Sequence, residues 1–81
     1  MIKIPFQSFF PMTRENALLL SKTACQFESL ITLEKENVIL NAKSMLGLLS
    51  HYSYGNENFV LVLYGNDEKE ASEALLHLLH N

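Results

Sequence analysis

Leu30-Ile31-Thr32-Leu33-Glu34-Lys35-Glu36-Asn37-Val38-Ile39-Leu40 is the stretch on which the fold turns. Two β-rich runs, 30–33 and 38–40, flank the polar residues 34–37, which predicts a hairpin with Asn37 in its turn. The two strands then pair antiparallel. Downstream, Ser44 opens a short helix to about Ser50, and Gly47 inside it lets another backbone or side chain come close. Tyr54-Gly55-Asn56 reads as a turn. Phe59-Val60-Leu61-Val62-Leu63-Tyr64 is apolar at every position, the mark of a strand that lies centrally or is covered on both faces. Gly65-Asn66 ends it, and Asp67 with Glu70 predicts a capping-box-like start to a last helix reaching about His80. That helix carries the apolar stripe Ala71, Ala74, Leu75, Leu78 and Leu79.

Upstream of the hairpin, Thr13 caps a helix running to about Phe27, with Ala17, Leu20, Ala24 and Phe27 on one face. Residues 2–7 alternate Ile2, Ile4 and Phe6 with Lys3, Pro5 and Gln7, a strand with one buried face, and Pro5 favours an edge position or a bulge. Ser8 to Met12 reads as a loop. The order is βαββαβα. One direct hairpin among helix-joined strands predicts an α+β fold, a mainly antiparallel four-stranded sheet with three helices on one face.

Composition narrows the function. Eighty-one residues, 48% of them hydrophobic, suit one domain over 1–81 with a single core and no deep catalytic cleft. The longest apolar runs, Phe59–Tyr64 and Ala17–Leu20, fall far short of the roughly 18 residues a bilayer crossing needs, and no membrane association is expected. Met1 to Pro5 has no apolar run of signal-peptide length, so the expected location is cytoplasmic. Six Lys and Arg against nine Asp and Glu, a net charge of −3, leave no basic stripe for direct nucleic-acid binding. Cys25 stands alone, without a disulfide partner, and reads as a buried packing thiol beside the first helix's apolar face.

Leu33-Glu34-Lys35 followed by Asn41-Ala42-Lys43-Ser44-Met45-Leu46-Gly47-Leu48-Leu49-Ser50 resembles the regulatory-serine region of HPr, the phosphocarrier family of the bacterial sugar phosphotransferase system. It is similar above all to the HPr-like catabolite-repression proteins, and Gly65-Asn66-Asp67-Glu68-Lys69-Glu70-Ala71 resembles the opening of the family's last helix. The resemblance covers nearly the whole chain and implies the HPr open-faced sandwich. It fails at the phosphorylated-histidine motif, where Phe10-Pro11-Met12-Thr13-Arg14-Glu15-Asn16 stands. Met12 occupies the histidine position, and a thioether has no nitrogen lone pair to take a phosphoryl group, so carrier chemistry there is excluded. Arg14 remains as a residue that can hold an anion, or is simply solvated.

By the same resemblance, Ser44 matches the serine modified by HPr kinase/phosphorylase, and a phosphate at a helix start is electrostatically favourable. The alternative is a plain capping serine. Met45, Leu46 and Leu49 match the docking surface for that kinase and for the catabolite-control repressor; the alternative is that they belong to the core. His77 and His80, with Glu73 one turn earlier, suit polar surface better than a metal pair, and His51 reads as a loop residue. Phe9, Phe10, Tyr52 and Tyr54 lie in two loops that the fold brings to one side, where they can form an adhesive patch. No metal or other cofactor and no enzymatic activity is expected. The expected function is a regulatory HPr-like protein switched at Ser44; the competing one is a diverged binding module without either phosphorylation, acting through loop aromatics or self-association. A homodimer, by strand exchange or otherwise, stays open.

Overall fold

The structure, a computed structural model, describes residues 1–8, 13–50 and 57–79. Its elements are β1 (Ile2–Ser8), α1 (Arg14–Cys25), β2 (Leu30–Lys35), β3 (Val38–Asn41), α2 (Met45–Leu49), β4 (Glu57–Tyr64) and α3 (Glu68–Leu79). The four strands form one antiparallel sheet in the order β1-β4-β2-β3. β4 is therefore central and β1, with Pro5, lies at an edge.

Register follows from the period of two. Ile4 pairs with Leu61 and Leu61 with Leu33, so a row of apolar side chains crosses three strands on the face that the helices cover. Ile31, Leu61 and Leu63 are fully buried on that face, together with Ala17, Leu20 and Ala24 of α1, Leu48 of α2, and Ala71 and Leu75 of α3. At the far end of the sheet Phe6 stacks on Phe59 with ring centroids 5.9 Å apart, and the Lys35 amine sits 6.0 Å from the Phe59 ring.

Local signals explain the element ends. Thr13 caps α1, its hydroxyl accepting from the Asn16 N–H at 3.1 Å. The helix stops at Cys25, two residues before the expected end, and Phe27 follows it in the loop, half-buried against the core. The hairpin turn is Glu36-Asn37, and it is Glu36 that takes the left-handed conformation, at φ 53°. The turn at residues 54–56 lies outside the described residues.

Gly65 and Asp67 join two distant connections. Gly65 has φ 154°, and a Cβ there would lie 2.7 Å from the Ser29 Cα, so only glycine fits. The Asp67 carboxylate accepts from the Ser29 hydroxyl and from the Ser29 and Glu28 N–H groups, the latter two at 3.0 and 2.8 Å. This corrects the expected Asp67–Glu70 capping box: the carboxylate is spent on the loop before β2, and Glu68 instead accepts from Gly65 N–H at 3.1 Å.

Two outcomes follow. Gly65→Ala should cost roughly 2–4 kcal/mol in urea unfolding, from the backbone conformation and the contact with Ser29 together. The hydrogen bonds from the Ser29 hydroxyl and then the Glu28 N–H hold the Asp67 carboxyl below its ordinary value. A depressed folded-state value contributes stability above the unfolded value, about 3.9, and loses it as pH falls through the folded one. Asp67→Asn should accordingly lower Tm at pH 7 and flatten its fall below about pH 4, as thermal melts across pH would record.

Candidate functional site

The site begins where β3 ends. The Asn41 side chain accepts from the Lys43 N–H at 3.0 Å, the Asn41 carbonyl accepts from the Ser44 N–H at 3.0 Å, and buried Ala42 donates to the Ile31 carbonyl at 3.0 Å. An asparagine-built turn thus fixes the entry to α2. Ser44 is extended (φ −107°, ψ 110°), and its Oγ accepts from the Gly47 N–H at 3.0 Å while its carbonyl receives Leu48 N–H. That is N-cap geometry. Gly47 matters to it, because a Cβ at 47 would stand 3.3 Å from the Ser44 Oγ. The expected close approach at Gly47 is therefore that of the serine itself.

Lys43 ties this turn to α1. Its amine donates to the Phe27 carbonyl at 2.7 Å, and its own carbonyl receives the Cys25 thiol at 3.6 Å. Cys25 is exposed, which corrects the expectation of a buried packing thiol. The buried face of α1 is Ala17, Leu20, Ser21 and Ala24, and one residue past Ala24 turns the side chain about 100° away from it. The anchoring by Lys43 has no sequence signature, since a lysine beside a turn ordinarily reads as surface. The Asn41 turn does have one.

Among the five residues of α2, Leu48 is completely buried, Met45 and Leu49 are half-buried against the core, and Leu46 is 78% exposed. The short helix therefore divides its apolar residues between core and surface. Arg14 lies exposed in the first turn of α1, which packs beside α2, and Glu15 follows it, also exposed. Ser44 is partly accessible. Met12, Phe9, Phe10, His51, Tyr52, Tyr54 and His80 lie outside the described residues. Glu73 and His77 are exposed on α3, and among the described residues no group of three His, Cys, Asp or Glu side chains is placed to hold a metal ion. No helix among them is long and apolar enough to cross a membrane.

Comparison with known proteins adds the following. Residues 13–81 match the PTS-HPr family, described as the PTS HPr component phosphorylation site; the match begins immediately after Met12. The HPr-like protein Crh of Halalkalibacterium halodurans is 42% identical over 60 residues, 74% of this chain and 71% of that protein. The crystal structure of HPr-C-His from Thermoanaerobacter tengcongensis superposes with a TM-score of 0.90 at 32% identity, over 99% of this chain and 92% of that one. The Bacillus subtilis catabolite repression protein Crh, seen as an intertwined dimer with a swapped domain, superposes at 0.75 with 32% identity, over 99% and 90% of the two chains.

The division within α2 has a direct consequence for stability. Urea unfolding should show Leu48→Ala costing about 2–4 kcal/mol, Ser44→Ala about 1 kcal/mol through loss of the cap, and Leu46→Ser within about 0.5 kcal/mol of wild type.

Proposed function

This chain belongs to the HPr family of the phosphotransferase system, and from that premise we propose that it is a non-carrier regulatory member switched by phosphorylation of Ser44. It works in the cytoplasm as a substrate and docking partner and performs no catalysis itself. The likeness to HPr-like Crh proteins supports a role in catabolite repression. Met12 stands at the family's phosphohistidine position, and its thioether sulfur cannot form the phosphoramidate that carriage requires. The serine branch of the family's chemistry has what it needs.

One observation carries the reading: a partly accessible Ser44 at the start of α2, two residues before a leucine that is 78% exposed. Phosphate on Oγ adds nearly two negative charges where the first-turn N–H groups point, and its oxygens can replace Oγ as the acceptor for Gly47. Met45, Leu46 and Leu49 then form the apolar part of the surface that HPr kinase/phosphorylase and a catabolite-control repressor contact, with Arg14 available to an anion from α1.

Intact mass after incubation with HPr kinase/phosphorylase and ATP provides the test. One phosphate is expected on wild type and none on Ser44→Ala, and none on either after reaction with the histidine-phosphorylating first enzyme of the system. A wild-type chain left unmodified by the kinase overturns the switch and leaves the family fold acting as a binding module without phosphorylation.

A further inference from the structure

The helices cover only one face of the sheet, and among the described residues nothing covers the other. Along β4 the outward positions are Asn58, Val60, Val62 and Tyr64; Leu30 lies beside Tyr64, Pro5 beside Val60, and Ile39 one strand beyond Glu34 in the same row. Tyr64 is 60% exposed, Leu30 61% and Ile39 68%. An antiparallel sheet with a solvated face ordinarily alternates to polar residues there, and β4 beyond Asn58 does not.

The charged side chains that β1, β4, β2 and β3 put on this face are Lys3 and Glu34, and among the described residues neither takes part in an ion pair. Lys3 sits in the row of Val62, on β1; Glu34 sits in the row of Val60, on β2. They are two strands and two residues apart, on the order of 12 Å, too far to pair within one chain. The midpoint between them falls between Val60 and Val62. A second copy laid face to face, related by a two-fold axis through that midpoint, brings each Lys3 opposite the other copy's Glu34 and the two pairs of valines together.

We propose that this face is a self-association surface whose occupant is a second copy of the chain. The geometry is isologous, as a two-fold contact demands, and both charges are compensated only in the pair. Four strands of four to eight residues present roughly 400 Å² of flat area per copy, well under the roughly 800 Å² of a standard interface, so the dimer is a weak one.

Sedimentation equilibrium from roughly 10 µM to 1 mM tests this. Wild type should dimerise reversibly. Lys3→Glu and Glu34→Lys should each raise Kd roughly five- to ten-fold, and the two together should bring it back near wild type, because exchanging both charges restores both pairs. Val60→Thr with Val62→Thr, which keeps shape and β-branching, should weaken association at least about ten-fold. Circular dichroism checks that each variant is folded, and the two charge reversals lie on the surface. A wild type that is monomeric throughout overturns the proposal, as does a dimer indifferent to all these changes, which points to strand exchange or the helical face. Charge reversals that weaken association without rescue in the double variant also overturn it.

Discussion

β4 is hydrogen-bonded on both sides to strands from distant parts of the sequence, and every other element is placed by that double pairing. Among the described residues β1 has no partner except β4, and β2 joins the hairpin to the rest of the sheet only through it. The register is unforgiving. A slip of one residue would turn Phe59, Leu61 and Leu63 to solvent and push Val60 and Val62 against the helices. Each such side chain contributes about 1.5–3 kcal/mol when buried. The exposed ion pair between the terminal amine and Glu68 contributes about 0–1 kcal/mol by comparison. Burial along β4 therefore decides the topology, and the surface electrostatics follow it.

What β4 leaves undone, the turn after it completes. Gly65 lets the chain leave the sheet against the Ser29 backbone, and two residues later Asp67 gathers the donors of the loop that precedes β2. The connection into α3 and the connection out of α1 are thereby one structure. A carboxylate spent on capping its own helix would leave the buried Ser29 hydroxyl and the N–H groups beside it without these acceptors.

The elements with strong periodicity were legible in the sequence: the hairpin, β4, the alternation of β1, and the apolar faces of α1 and α3. Ser44 as a cap and Pro5 at an edge were legible too, because each rests on a local rule that burial does not alter. Two readings failed for a common reason. Asp67 satisfies the capping-box pattern, yet its oxygens meet a loop nearly forty residues away; Cys25 adjoins the buried face but projects off it. In each case the deciding partner or rotation is tertiary. The same holds for Lys43, whose bond to the Phe27 carbonyl exists only once α1 and the turn before α2 are side by side. The family likeness was legible because its residues stand in short contiguous runs, 41–50 above all, with 33–35 and 65–71.

Within that run the proposed switch has a physical economy. The Ser44 Oγ already accepts a hydrogen bond from the first turn of α2, so the fold supplies an acceptor position in which added negative charge is favourable. Gly47 keeps the space beside that oxygen open, and Leu48 holds the helix to the core regardless of what happens at its start. Modification would then change the surface without changing the scaffold: the net charge moves from −3 towards about −5, concentrated next to an exposed leucine. A partner that reads both features at once gains on each separately and loses most when either is missing, since a desolvated phosphate left unpaired costs more than an unfilled apolar contact. Under the proposed reading, methionine at position 12 leaves no nitrogen to take the carrier's phosphate, and the protein answers to its serine signal alone.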